Sequence, residues 1–385
     1  MLKLALKNSA DKRSARSLPK ILISDVALDP RNGAGMRALL PYLQSQNGPV
    51  TSVYMLETGM SPAVPGVEYL RIPYVDLPRK KLWSLLRGAW SVFKKLKNPS
   101  QFIILTNSMR DVLLGLLFSV LSKHGDKTTI WVMDDFVGKI RTPASLRNWI
   151  LERLFAWLYR RSDQRIVASA AMAKSYKNRY GVTADHILGR TLVEVHAPND
   201  QAFQSRTKIK IVYVGSFLDY YIEPILVIKS VIDRLPVAIE VDLYGMHPPG
   251  ADWLLPGIIS YKGVLRDEHL LETLNQYDFG LVPYSFNIET IQMMALSFPS
   301  KLIDYVGASL PLLIFAPENL SFLDEVRKYS VGQIETKIDK NSVVHAFKIL
   351  GSLSRSDYLA RQVAAQAWAK NEFVLTPEKI DEIFY

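Results

Sequence analysis

The chain has 385 residues, 48% of them hydrophobic, a formal charge of +10 and no cysteine. That length and apolar content suffice for two or three folded domains and exclude a disordered chain, and the missing cysteine excludes disulfides, thiolate metal sites and a cysteine nucleophile. The charge is uneven: residues 1–200 hold 30 bases against 15 acids and the remainder 17 against 22, so the first half is expected to meet something anionic.

Residues 1–19 are basic, lack an apolar core of signal-peptide length and are expected to form a disordered leader. Short β-branched runs then alternate with helical patterns, the sequence form of parallel sheets covered by helices. In the first half, strands are expected at Lys20–Ser24, Val50–Tyr54, Phe102–Thr106, Thr128–Met133 and Arg165–Ala168. Helices are expected over 35–44, 80–96, 111–123, 145–161 and 170–179. The greasiest of these, Val112–Leu121, is about half the roughly 20 residues a membrane-spanning helix needs. After the polar stretch 197–207 the pattern restarts, with strands at Ile209–Val214, Ile239–Tyr244, Ile258–Tyr261, Phe279–Val282 and Leu312–Phe315. Helices are expected over 267–276 and from near Ser300. The expected division is therefore a first domain over 20–200, a second over 201–370, and a segment 371–385 returning to the first. Two such α/β units leave a cleft where their strand ends face one another, and open parallel sheets bind ligands at those ends.

Three stretches of the first half carry chemistry. Asp29, Arg31, Gly33, Gly35 and Arg37 lie between the first strand and first helix, where glycines permit close approach of backbone to a ligand; a plain connecting loop fits the spacing equally well. Trp131-Val-Met-Asp-Asp-Phe136 ends a buried strand on two carboxylates, Asp134 and Asp135, of which one is expected to face the cleft; the other reading is that both cap the next turn or pair with Arg141. Arg79–Lys97 holds seven bases and no acid. There Leu82, Leu86, Ala89, Phe93 and Leu96 form an apolar stripe with Trp83 and Trp90 beside it. Such a stripe usually packs on a core, yet Trp with Lys80, Lys81, Arg87, Lys94, Lys95 and Lys97 is also the composition of a helix resting on anionic lipid, at about 1 kcal/mol per basic residue. Residues 148–161 add Trp149, Phe155, Trp157 and further arginines.

The densest signal lies in the second half: Tyr277-Asp-Phe-Gly-Leu-Val-Pro-Tyr-Ser285, then Phe298-Pro-Ser-Lys-Leu-Ile-Asp-Tyr305 and Pro311. A buried strand ends at Pro283, and Pro299 and Ser300 suit the first turn of the next helix. Free N–H groups at that terminus and the Lys301 charge favour a phosphate, and Asp304, one turn on, could accept hydrogen bonds from a ribose diol. An ordinary capped helix with solvated Lys301 and Asp304 fits the spacing equally well.

These motifs resemble the donor-binding region of GT-B glycosyltransferases, in which this helix holds the diphosphate and ribose of a nucleotide sugar. Ile211–Gly215 resembles the first strand and glycine turn of the donor domain, Leu243-Tyr-Gly245 its next strand end, and Tyr261-Lys-Gly-Val264 the strand near the nucleobase. Ile166–Met172 with Tyr180-Gly-Val182, and Ala197-Pro-Asn-Asp200, resemble the end of the acceptor domain. The resemblance implies an α/β GT-B fold of two Rossmann-like domains facing across a cleft. It implies donor contacts from Gly215, Ser216, Tyr244, Gly245, Pro283, Tyr284, Ser300, Lys301 and Asp304, and acceptor contacts from Gly33, Gly35 and Arg37. It also implies a nucleotide-diphosphate sugar as donor, no tightly bound cofactor, no protein metal site and no nucleic-acid partner.

The glycosyltransferase group 1 type carries two glutamates eight residues apart and an Arg and a Lys after the glycine turn. Here Leu296, Asp304, Ser216 and Tyr221 occupy those places. The Ser-Lys-Leu-x-x-Tyr form is also similar to the xanthan glucuronosyltransferase type, an inverting enzyme, which implies Asp135 as base with Asp134 next. Retention or inversion stays open. The acceptor implied is a glycan or lipid-linked saccharide in surface polysaccharide or glycolipid synthesis, and the place implied is the cytoplasm or the inner face of the cytoplasmic membrane. A nucleotide-sugar epimerase and a non-catalytic membrane or nucleic-acid binding module are the alternatives.

Overall fold

The computed structural model describes residues 18–28, 42–43, 49–55, 64–72, 81–96, 99–106, 108–122, 125–135, 146–187, 192, 194–199, 208–246, 248–265, 269–374 and 376. The chain divides into two compact units, residues 1–188 and 189–385.

The first unit is built on β1 (Lys20–Ile23), β2 (Val50–Tyr54), β3 (Val67–Arg71), β4 (Gln101–Leu105), β5 (Lys127–Val132), β6 (Gln164–Val167) and β7 (His186–Ile187). They form one sheet in the order β3-β2-β1-β4-β5-β6-β7, every pair parallel. The central strands β1 and β4 are buried along their whole length, as strands covered on both faces must be. The helix Met109–Leu121 opens on a capping box, Ser108 and Asp111 exchanging hydrogen bonds with each other's backbone N–H. The helices Lys81–Phe93 and Leu146–Arg161 both pack against it. Helix Ala170–Tyr180 starts at the Ser169 cap and stops at Gly181, in the left-handed conformation that glycine adopts without penalty.

The second unit repeats the plan. Its strands β8 (Ile209–Val214), β9 (Ile239–Tyr244), β10 (Ile259–Gly263), β11 (Phe279–Pro283), β12 (Leu312–Phe315) and β13 (Gly332–Glu335) run in the order β10-β9-β8-β11-β12-β13, again all parallel. Both sheets therefore reverse direction next to their first strand, between β1 and β4 and between β8 and β11. A doubly wound sheet binds ligands outside the carboxyl ends of its strands at such a point.

Three strands escape the sequence reading: β3, β7 and β13. All are edge strands, and β3 and β13 are only half-buried, so they lack the continuous apolar run of a central strand. The domain boundary also moves. The segment 194–199 belongs to the second unit: His196 N donates to Gly307 O (2.8 Å), and Asn199 O accepts from Gln362 Nε2 (3.1 Å). Its polar composition reads as a linker, but its backbone groups find partners on that unit. Residues 371–374 pack there too: Phe373 O accepts from Leu192 N (2.9 Å) and Val374 pairs with Leu192. Residues 375 and 377–385 of the segment expected to return to the first unit, and residues 1–17 of the leader, lie outside the described residues. Among the described residues no helix is long and apolar enough to cross a membrane.

Candidate functional site

In the second unit the residues expected to hold a donor gather at the β8/β11 reversal. The helix Ser300–Gly307 follows Pro299, which stands at its N-cap. Its first N–H groups have no acceptor within the helix. Tyr305 fixes this helix to both central strands. Its hydroxyl accepts from Val214 N (2.9 Å) and donates to Leu281 O (3.3 Å). Its ring lies so close to Gly280 that a Cβ there would come within 2.4 Å of it. Burial raises the Tyr305 pKa above its ordinary value, so the phenol stays protonated and able to donate.

Lys301 sits one residue into that helix. Its ammonium lies 3.9 Å from the centre of the Tyr221 ring and 4.3 Å from that of Tyr213, and donates to the Tyr213 hydroxyl at 3.2 Å. The same hydroxyl donates to Ser216 O (2.6 Å). A Cβ on Gly215 would lie 3.4 Å from Lys301 Nζ, so the cation stands against the glycine turn that ends β8. Burial lowers the Lys301 pKa to about 7, because desolvation disfavours the charged form. Tyr221, at a place where the group 1 type carries a lysine, here forms one wall around Lys301.

The turn itself depends on Gly245. A Cβ at that position would come within 2.4 Å of Gly215 O and 2.6 Å of the Phe217 ring, and Gly245 N donates to Gly263 O (3.0 Å). Tyr244 O accepts from Gly215 N (3.0 Å). The Tyr244 side chain, expected at the donor, has its hydroxyl 3.1 Å from that of Tyr277, which in turn donates to the buried Asp242 (2.8 Å). Pro283 and Tyr284 are buried. Tyr284 packs edge-on against Tyr221 at 5.8 Å and tilted against Phe322 at 5.4 Å. Asp304 is 4% exposed. Ser216 is exposed and Ser300 half-buried.

A residue the sequence reading missed is Glu223, on the helix Asp219–Ser230. Its Oε2 accepts from Ser285 Oγ and Phe286 N, both at 3.0 Å, and Ser285 Oγ accepts from Asn287 N at 3.0 Å. These bonds fix the loop leaving β11. No local motif announces a carboxylate 62 residues from its partner.

In the first unit the two candidate carboxylates have different surroundings. Asp135 is buried. Arg179 Nη1 lies 3.1 Å from each of its oxygens, and the Tyr176 hydroxyl donates to Oδ1 at 2.9 Å. The Arg179 guanidinium stacks 5.2 Å from the Tyr176 ring and 5.1 Å from the Tyr180 ring. Asp135 thus accepts three hydrogen bonds from Arg179 and Tyr176 of its own unit; Arg141, the partner weighed from the sequence, lies outside the described residues. Asp134 is half-buried at the same strand end. A second carboxylate cluster, not foreseen, stands at the β1/β4 reversal. Fully buried Asp111 accepts from Asp25 N at 2.6 Å, and Ser108 Oγ donates to Asp25 Oδ2 at 2.8 Å. Its visible trace is the capping spacing Ser-x-x-Asp. Gly33, Gly35 and Arg37 lie outside the described residues.

On the helix Lys81–Phe93 the buried residues are Leu85, Gly88, Ala89, Val92 and Phe93, while Leu86 is half-buried. Of the expected stripe Ala89 and Phe93 are buried and Leu86 and Leu96 half-buried, and the side chain of Leu82 is not described. Trp83 is 76% and Trp90 47% exposed, with Arg87, Lys94 and Lys95 exposed as well. On the helix Leu146–Arg161, Leu146, Trp149 and Trp157 are exposed. Cations lie over three of these rings: Lys94 on Trp90 (5.3 Å), Arg153 on Trp149 (5.1 Å) and Arg161 on Trp157 (5.3 Å). The side chain of Lys81 is not described, and Lys80 and Lys97 lie outside the described residues.

No known family model matches the sequence, and no curated protein matches it. Solved structures do. The sucrose-phosphate synthase of Thermosynechococcus elongatus is 16% identical over 95% of each chain, with a TM-score of 0.64. Anabaena HepE in complex with UDP and glucose is 13% identical over 95% of this chain and 98% of its own, with a TM-score of 0.67. WaaG, a glycosyltransferase involved in lipopolysaccharide biosynthesis, is 10% identical over 95% and 99%, with a TM-score of 0.60. These are GT-B proteins, and the chain has the GT-B fold. Each of its two units has the Rossmann-like strand order expected of that fold.

Proposed function

We propose that the chain is a glycosyltransferase that moves a sugar from a nucleotide-diphosphate donor to a glycan or lipid-linked saccharide acceptor. The observation that carries this reading is the convergence of the Lys301 ammonium, the Gly215 turn and the start of the Ser300 helix at the β8/β11 reversal. As the bond from the anomeric carbon to the diphosphate oxygen breaks, negative charge grows on the leaving group. A lysine and helix N–H groups fixed beforehand stabilise that charge without reorganising. UDP, named with the structures of Anabaena HepE, supports a nucleotide donor. Asp304 is assigned to the ribose.

The acceptor hydroxyl must lose a proton as it attacks, which needs one base. Asp135 is committed to Arg179 and Tyr176, so the less buried Asp134 is the better-suited base if the enzyme inverts. The exposed Trp83, Trp90, Trp149 and Trp157, three of them under cations, support a peripheral anionic membrane surface as the place where a lipid-linked acceptor is met. The test is thermal unfolding with UDP-, GDP- and dTDP-sugars, since a ligand of the native state raises its melting point. One of them is expected to protect the wild type, and to protect Lys301→Ala and Asp304→Ala much less. Equal protection of all three proteins would remove the donor assignment.

A further inference from the structure

We infer that Tyr213 and Tyr221 are positioning residues that bracket the Lys301 ammonium against the glycine turn, so that its counter-charge comes from the bound diphosphate and not from the protein. The inference rests on the donor reading of that face and adds to it how the cation is held and when it is charged.

Three observations carry it. The two rings stand 4.3 and 3.9 Å from Nζ, within the range of a cation–π contact. Among the described side chains, the groups facing Lys301 from β8 and from the helix Asp219–Ser230 are phenols, Tyr213 and Tyr221, and Tyr284 of the β11 loop stands behind the second; the side chain of Asp219 is not described. Along its own helix the nearest acid is Asp304, one turn away and buried. Finally, Tyr213 Oη both accepts from Lys301 and donates to Ser216 O, which ties the cation to the backbone turn at which the phosphate would rest.

A lysine held by rings in place of a carboxylate bears the cost of burial uncompensated, in keeping with its lowered pKa of about 7. One unit above that value the free protein carries mostly neutral amine. A diphosphate arriving beside it favours the ammonium, so binding draws a proton from solvent onto Nζ.

The experiment is calorimetric titration of the full chain with UDP, GDP and inorganic pyrophosphate, in two buffers of different ionisation enthalpy. It is run about one unit above and about one unit below the Lys301 value of about 7. At the higher pH the terminal phosphates of UDP and GDP, with a second pKa near about 6, are already ionised, so proton uptake with these two ligands reports the protein. The wild type is expected to take up close to one proton at the higher pH and much less at the lower, and Lys301→Met none at the higher. Tyr221→Leu is expected to weaken binding by about 2- to 30-fold, the range a cation–π contact spans, and Tyr221→Phe to restore it. Tyr213→Phe is expected to weaken binding while leaving the melting temperature near that of the wild type. Binding without uptake in the wild type, or equal binding by the Leu and Phe variants of Tyr221, would overturn the bracket and leave the donor site standing. Failure of all three ligands to bind the wild type would overturn both.

Discussion

Arg179 Nη1 lies 3.1 Å from both carboxylate oxygens of Asp135, and this pair, closed by Tyr176 at 2.9 Å, joins the end of β5 to the helix Ala170–Tyr180. Removing one partner of a buried pair leaves the other charge uncompensated, at about 3–5 kcal/mol. Arg179→Met is therefore expected to lower the unfolding free energy by that amount, read as a fall in the urea midpoint. Asp134→Asn, at a half-buried position, is expected to change stability by only about 0.5 kcal/mol and to abolish transfer. If Asp134→Asn turns over normally, it is not the base.

Tyr305 and Gly280 predict a second effect. Gly280→Ala places a methyl within 2.4 Å of the Tyr305 ring, and overpacking of this kind costs about 1–3 kcal/mol. Tyr305→Phe leaves Val214 N–H without its acceptor, at about 1–3 kcal/mol. Both are expected to lower the melting temperature and to weaken nucleotide binding, because both displace the Ser300 helix.

Lys301 gives a pH dependence whose sign is fixed. Its pKa is about 7 when folded against an ordinary value of 10.5. Below the lower value both states hold the proton and the cost of burying the charge is complete. Between the two values the unfolded chain binds more protons, so this lysine makes stability rise with pH. Lys301→Met is expected to exceed the wild type in melting temperature most at pH below about 7 and to lose that advantage towards about 10. An advantage constant with pH would show that Lys301 titrates normally in the folded protein.

Glu223 predicts a local change. In Glu223→Ala, Ser285 Oγ and Phe286 N lose their shared acceptor. Hydrogen exchange at the Phe286 amide is expected to accelerate, with central strand amides such as Leu281 unchanged.

The tryptophan-bearing face is tested by sedimentation with anionic vesicles. The wild type is expected to sediment with them, and Trp83→Ser combined with Lys94→Gln and Lys95→Gln to remain in solution. A wild type that stays in the supernatant refutes the membrane surface.

Much of this architecture is visible in the sequence because it is local. The runs at 209–214, 239–244 and 312–315 are buried on both faces and become β8, β9 and β12 at those very residues. Pro299-Ser300-Lys301 announces its helix through first-turn chemistry. What the sequence hides is pairing over distance. Asp135 and Arg179 are 44 residues apart, Glu223 and Ser285 62, and Lys301 and Tyr213 88. Nothing beside Asp135 in the sequence points to Arg179, and nothing beside Tyr221 points to Lys301. Only closure of the sheets brings these partners together.

The bridge between Leu192 and Val374 fastens the incoming chain of the second unit to its outgoing chain. Joined ends leave the order of elements between them free to be cut elsewhere. Residues 192–374 should thus tolerate circular permutation, with a short peptide closing Leu192 onto Val374 and a new start in an exposed turn such as the one at Gly257, and should fold as a detached module.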